Sequence, residues 1–450
     1  MSNMTNESSA EFNSLRSRHG LSPGKDLETL TIAGNGVADV FVTPERAQAA
    51  LVKAGEAQGA WTDFNANHTP ESPLGLVGRR ALKEASLVGA LANQVLSSED
   101  RSGEVANLEA ELFGYYSPEL FAGAVAQKIR SIEALSLPVD LEPSRAIILE
   151  ELDQLIEGID VTELQAPSEH TLKVVGVWLY GQFGDLFDEM DESGRTEFDA
   201  EQIVRYFQSG IDSTPSLRRN HWKASSISRE KNAISTYASR KEIVIPETRV
   251  VKRENLKGLI VHEVFGHALR SAIAEENDIP TGQNGTATYA RFEESFMIAL
   301  EQCLSGAHNP TRGMNHYLAV GLSVTGGYSK DKISRLFESM SMLEKAKSGI
   351  DDNIRLAAVR AAKLQISRTF VGFTDVDEGV AHRKDIDYLH GLNDSWGLLN
   401  YIVAHDAVDE ALPWLFSAKF NPFTKSEREL VDSFVPMPPV LRAYFENTLV

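Results

Sequence analysis

Apolar residues recur at spacings of three and four from about residue 79 to 210, the period of helices with one buried face. ALKEASLVGALANQVL, PELFAGAVAQKIRSIEAL and AIILEELDQLIEGI each carry the pattern, and Pro138, Pro143 and Pro167 separate them. The texture changes near His221. A β-branched and aromatic stretch ends in Ile243-Val244-Ile245-Pro246, which reads as a strand, with an edge position expected because Pro246 cannot donate to a ladder. ENLKGLIVHEVFGHALRSAIAEEN then predicts a long helix, and TATYARFEESFMIALEQCL predicts a second one beyond a turn region between Pro280 and Gly285. Further helices are expected over 330–347, 350–368, 385–404 and 425–433. The fold class is therefore α+β and mainly helical, with one small sheet beside the helix that carries HEVFGH.

Breaker-rich segments divide the chain. Residues 1–25 are polar and read as a flexible arm, and 65–78, with two prolines and two glycines, reads as a connector. The expected organisation is an arm (1–25), a mainly helical N-terminal region (26–210) and a C-terminal unit (211–450).

Composition narrows the function. With 44 basic and 64 acidic residues the net charge is −20, which argues against nucleic acid or an anionic membrane as the main partner. No apolar run approaches the ~20 residues of a membrane span, and the N-terminus lacks the basic and apolar regions of a secretory signal. A single cysteine, Cys303, rules out an internal disulfide framework and a cysteine-rich metal site. A soluble, cytoplasmic protein is expected.

The chemistry concentrates in His262-Glu263-Val264-Phe265-Gly266-His267. Two imidazoles and a carboxylate with one open position make a catalytic zinc site. In HExxH the histidines lie about 40° apart around a helix; the i, i+5 spacing here puts them about 140° apart on a regular one. One extra residue in the turn, a π-bulge, brings them together, and Gly266 eases an irregular backbone there. The third ligand is sought on the next helix, where Glu293 and Glu294 follow His267 by 26 and 27 residues. Periodicity leans to Glu293, which shares the apolar face of Tyr289, Phe292, Phe296, Leu300 and Cys303.

Glu263, directly after the first ligand, is the natural general base. Arg270, one turn beyond His267, either orients a carboxylate of the substrate or forms a structural ion pair. Tyr388 is placed to donate its hydroxyl to an oxyanion, the alternative being a core tyrosine. His382, His390 and His405 lack ligand spacing and are expected to be structural.

From about 221 to 395 the chain resembles the tubulin tyrosine carboxypeptidases, a metallopeptidase family with an HExxxH motif. The resemblance runs through Trp222, Ile245-Pro246, LIVHEVFGHALR, ATYARFEESFMIAL (similar to T-x-E-E-G-L-A), HYLAVGLSVTGGYSKDKISRLFESM and HRKDIDYLHGL (similar to F-T-K-D-x-x-Y-L-x-G-L). It is weak before residue 220. It implies a zincin-like catalytic domain and zinc held by His262, His267 and the second glutamate, Glu294. It also nominates Lys384 to grip a substrate's terminal carboxylate, against a plain surface lysine. Two positions depart from the family: Ser295 follows Glu294 where glycine is usual, and Val371-Gly372 stands where Arg-Gly is expected.

The expected function is a zinc-dependent peptidase that removes C-terminal residues from a peptide or protein. The rivals are a non-catalytic metal-binding interaction protein, and an endopeptidase or hydrolase of other amides. Tubulin itself does not carry over as substrate, because an acidic protein suits a basic or neutral partner better than an acidic tail.

Overall fold

Ser-Pro and Thr-Pro pairs set where several helices begin. Helices α2 (Pro44–Ala66), α3 (Pro73–Leu96) and α5 (Pro118–Glu133) each start with proline after a hydroxyl cap: Thr43, Ser72 and Ser117 accept from the backbone N–H three residues on. Proline is favourable there because its missing N–H belongs to the unpaired first turn. The expected connector 65–78 therefore shrinks to 67–72: Ser72-Pro73 starts a helix, and Gly75 and Gly78 lie inside it.

The computed structural model describes residues 6–21, 26–27, 29–32, 38–97, 102–114, 116–228, 233–346, 351–370 and 381–448. They form a mainly helical protein with small sheets. The first described segment is helix α1 (Asn6–His19), so residues 6–19 are helical where a flexible arm was expected. Its Phe12 is buried against Trp61 and Phe64, which repays the ordering of an otherwise polar sequence.

The remaining N-terminal elements are the hairpin β1 (Thr29–Ile32) and β2 (Ala38–Phe41), α4 (Ser102–Phe113), α6 (Glu142–Ile156) and α7 (Glu169–Glu192). Strand β3 (Glu197–Phe198), α8 (Ala200–Ser213) and α9 (Pro215–Arg219) lead to a three-stranded sheet of β4 (Lys223–Ile227), β5 (Ser235–Tyr237) and β6 (Glu242–Pro246), in the order β4-β6-β5. Here the edge expectation fails: β6 is central, parallel to β4 and antiparallel to β5. Pro246 is tolerated because β5 pairs only as far as Val244, and Glu247 donates in its place to Ile227 O at 3.0 Å. Strand β7 (Val251–Lys252), paired with β3, opens the helix that carries the histidines.

Two large apolar cores interleave along the chain. One joins α7 and α8 to β6 and the histidine-bearing helix, with α12 (Tyr289–Ser305), α16 (Ile386–Ala404), α17 (Val408–Leu415), α18 (Lys425–Asp432) and α19 (Pro439–Thr448) around them. The other joins α2 to α6 with α13 (Met314–Val324), α14 (Lys330–Lys345) and α15 (Asp352–Thr369). Residue 210 therefore lies inside the first core, and helices from beyond it complete the second. No described helix is long and apolar enough to cross a membrane.

Helices α12 and α16 meet at Gly391, where an added Cβ would stand 1.9 Å from Arg291 O and 2.6 Å from Ser295 Oγ. The nearer atom is backbone and cannot swing aside. Gly391→Ala should destabilise the fold by about 3 kcal/mol, the upper end for overpacking, measured by urea unfolding. A loss within 0.5 kcal/mol, the usual range at the surface, would mean the helices are not clamped at this contact.

Candidate metal centre

The helix starting at Arg253 changes pitch where the motif lies. Helix α10 (Arg253–Leu259) runs into a π-helical segment (Ile260–Ala268) and out into α11 (Leu269–Glu276). The i→i+5 bonding of a π-helix stacks residues five apart on one face. The imidazoles of His262 and His267 accordingly converge, with ring centroids 4.9 Å apart. Irregularity covers nine residues rather than one inserted residue. Gly266 contributes space rather than backbone freedom: a Cβ there would lie 2.1 Å from Met297 Sδ, so its absence lets α12 close on the π segment.

That approach delivers the third donor. Glu294 Oε2 lies 3.6 Å from His262 Nε2, and its Oε1 lies 3.6 Å from His267 Nε2. Two donors each about 2.1 Å from a tetrahedral ion stand about 3.4 Å apart, so this spacing fits one metal. All three donor atoms lie within 4.8 Å of one another. Glu293 points the other way, into the protein, where it binds His267 Nδ1. It belongs to the apolar face because its task lies behind the site.

The outer faces of the ligands are held too. His262 Nδ1 lies 2.6 Å from Glu301 Oε1, and Arg312 donates to the other oxygen of Glu301 at 2.9 Å. Glu293, 1% exposed, takes Arg270 Nη1 and Lys419 Nζ, both at 3.2 Å, besides His267. Such carboxylate–imidazole pairs fix ring orientation and tautomer for metal binding. Burial pushes the Glu293 carboxyl up, but Lys419, His267 and Arg270 outweigh it and hold it at about 2. Burial likewise opposes charge on His262 and on Glu294. Hydrogen bonds between them, with Glu301 and Lys384 adding, leave His262 well above the ordinary imidazole range and Glu294 well below the carboxylate range.

Arg270 is no substrate ligand. It is 0% exposed, and its guanidinium is consumed by Glu293, by Ala418 O at 2.8 Å and by Phe420 O at 3.1 Å. The structural ion pair is the correct alternative. Sequence reasoning missed Glu301 and Lys419. Glu301 was open to discovery, since seven residues after Glu294 is two turns down the same helix face. Lys419 offered no signal, because it meets the site only through tertiary packing.

Glu263 is buried beside the triad, and Thr236 Oγ1 donates to its Oε2 at 2.6 Å. Thr236 lies on β5, so the sheet orients the proposed base. Tyr388, on the first turn of α16, is held protonated by burial and by the nearby Glu294 carboxylate. Arg368 braces it, with its guanidinium 5.7 Å from the Tyr388 ring while it grips Asp385 at 3.1 and 2.8 Å. Lys384 is exposed, and its charge reaches Glu294. Glu109 on α4 fixes this segment by taking His382 Nδ1 at 2.7 Å and Arg383 N at 2.9 Å. His382, His390, which pairs with Tyr317, and His405, which caps Tyr401 O, lie away from the triad. Val371-Gly372 lies outside the described residues.

No family model, curated protein or solved structure matches the chain.

Proposed function

We propose that the chain is a zinc-dependent peptidase, with a zincin-like catalytic unit, that removes C-terminal residues. The observation that carries this reading is the convergence of His262, His267 and Glu294, three donors at metal spacing, with the buried carboxylate of Glu263 next to the first ligand. Each imidazole has a carboxylate behind it, the arrangement that prepares a histidine for metal. The ordered resemblance to the tubulin tyrosine carboxypeptidases adds the preference for C-termini. No tubulin substrate is proposed.

Two histidines and one carboxylate match the protein ligand set of catalytic zinc, which keeps its fourth position for water. His262, His267 and Glu294 would hold the zinc, which when bound would supply Lewis acidity of the kind that lowers the pKa of water from 15.7 to about 7. Glu263, steadied by Thr236, accepts the proton of the attacking water and passes it to the leaving amine. Tyr388 keeps its proton and so can donate a hydrogen bond to the oxygen that gains charge. Arg368 and Asp385 hold the tyrosine in place.

Elemental mass spectrometry on protein purified without added metal should find about one zinc per chain. Incubation of the metal-loaded chain with a mixture of peptides should then shorten those with free C-termini and spare their amidated counterparts. No zinc, even after incubation with it, would defeat the reading. Bound zinc without cleavage would favour a metal-binding interaction protein, and cleavage of both peptide sets at internal bonds would favour an endopeptidase.

A further inference from the structure

Ser295, the residue after the third donor, is fully buried within α12, where its hydroxyl adds nothing to the helix's own hydrogen bonding. A serine inside a helix ordinarily faces solvent or bonds the carbonyl four residues back. Ser295 does neither. Its Oγ lies 3.0 Å from Tyr388 O and 3.4 Å from Asp387 O, so the hydroxyl donates across to the first turn of α16, chiefly to the tyrosine. Carbonyls this early in a helix already accept from the N–H four residues on. The bond from Ser295 is therefore an addition to α16 and does not complete an unpaired group.

What the bond adds is register. Gly391 stands opposite: a Cβ there would lie 2.6 Å from Ser295 Oγ and 2.9 Å from Ser295 Cβ, so the hydroxyl reaches α16 because Gly391 has no side chain. Apolar contact between two small residues has no direction and lets one helix slide or turn on the other, whereas a hydrogen bond weakens steeply off its line. Tyr388 lies three residues before Gly391, about 4.5 Å along the axis, and Glu294 directly precedes Ser295. The tyrosine is thus tied at its own carbonyl to the neighbour of a metal donor. Its other braces come from elsewhere: Arg368 on α15 grips Asp385, and Glu109 on α4 takes His382 and Arg383 N. A second tie between α12 and α16, Arg291 with Asp394 at 2.8 Å, is six residues past Tyr388. Glycine, usual at the Ser295 position in the family the chain resembles, could not make this bond.

We infer that Ser295 is a positioning residue for the proposed reaction, its hydroxyl holding Tyr388 in register with Glu294 across the α12–α16 contact. The inference rests on the peptidase reading above, in which Tyr388 donates to the oxygen that gains charge. Ser295 touches neither substrate nor metal and acts through the tyrosine. Without its hydroxyl both helices keep their backbone bonds and the Gly391 contact, so the fold persists while Tyr388 gains freedom to shift along α12. A donor to a developing charge is effective when it is already in place, so such freedom is lost rate rather than lost binding.

The test follows steady-state hydrolysis by the full chain, loaded with zinc, of a free-acid peptide drawn from those that the parent shortens. Ser295→Ala should lower kcat by about 10- to 100-fold, up to the cost of a misplacement of about 1 Å, with KM and zinc content at the parent values. In a Tyr388→Phe background the same substitution should change kcat by less than about twofold, since no hydroxyl is left to position. Ser295→Cys keeps a weak donor of similar size and should fall between serine and alanine. It carries the same comparison if the alanine variant does not fold. Asp394→Asn, which breaks the other tie between the helices, should stay within about twofold of the parent, as for a partly exposed ion pair. Equal losses from Ser295→Ala in both backgrounds overturn the inference. So do an unchanged kcat, a loss of zinc along with activity, or a loss of the same size in Asp394→Asn, and the peptidase reading stands in each case. A Tyr388→Phe variant with the parent kcat removes the tyrosine from the chemistry and the inference with it, leaving the metal and Glu263. A zinc-loaded parent that shortens no peptide overturns the peptidase reading and the inference together.

Discussion

Glu263→Gln should lower peptide hydrolysis by about 10²- to 10⁴-fold, the range for removing a positioned general base, while zinc content stays at the parent level. Glu263 is not one of the three converging donors, so the metal loses nothing directly. Its surroundings tolerate the change: glutamine keeps an oxygen for the 2.6 Å bond from Thr236 and occupies nearly the same buried volume. What disappears is the ability to take a proton from water. The loss should appear in kcat, because the interaction is used as the proton moves rather than in holding the peptide. Steady-state kinetics paired with metal analysis on the same sample decides it. Activity within tenfold of the parent would remove Glu263 from the proposed chemistry, and loss of zinc alongside activity would show that the glutamate acts on the site's integrity.

Arg270→Met should destabilise the protein by about 3–5 kcal/mol, the cost of taking one partner from a buried ion pair. Burial costs the arginine heavily, and the folded state recovers that cost through Glu293 and the carbonyls of Ala418 and Phe420. Methionine fills part of the volume but leaves those carbonyls without their donor and leaves Lys419 as the nearest cation on Glu293. Since Glu293 orients His267, zinc affinity should fall as well, by about 10- to 100-fold. Arg312→Met is the control. Arg312 supports Glu301 behind the other histidine in the same way, but it is 52% exposed, and a surface pair of this kind is worth at most about 1 kcal/mol. Denaturant unfolding and competitive zinc titration of both variants test the contrast. Equal losses would mean that burial of the Arg270–Glu293 pair does not set its importance.

The sequence was most legible where one local rule sufficed. Period-three-and-four spacing located α12, α14, α15 and α16 close to their observed bounds, because each buries one continuous apolar face. It missed α1, whose buried Phe12 is stabilised by tertiary packing against α2 and α3 rather than by a periodic apolar face of its own. It misplaced the start of α3, because Pro73 was read as a breaker although serine before proline is a helix start. The rank of β6 within its sheet was also out of reach, since pairing partners are set by chain segments far apart in sequence.

At the metal centre the division is similar. The i, i+5 spacing of His262 and His267 already demanded an irregular helix, because only a wider turn puts both on one face. The residues could not choose between Glu293 and Glu294, since both lie on one helix and periodicity describes burial rather than purpose. Tertiary structure chose: Met297 packing onto Gly266 turns Glu294 toward the imidazoles and leaves Glu293 to Arg270 and Lys419. It also reversed Arg270, since a cation one turn past a ligand looks the same in sequence whether it faces substrate or core. The sequence by itself determined the donor types and the local backbone that brings two of them together. Which third donor joins them was decided by the packing of α12 on the π segment, and whether Arg270 faces substrate or core was decided by Ala418 and Phe420, well over a hundred residues away in sequence.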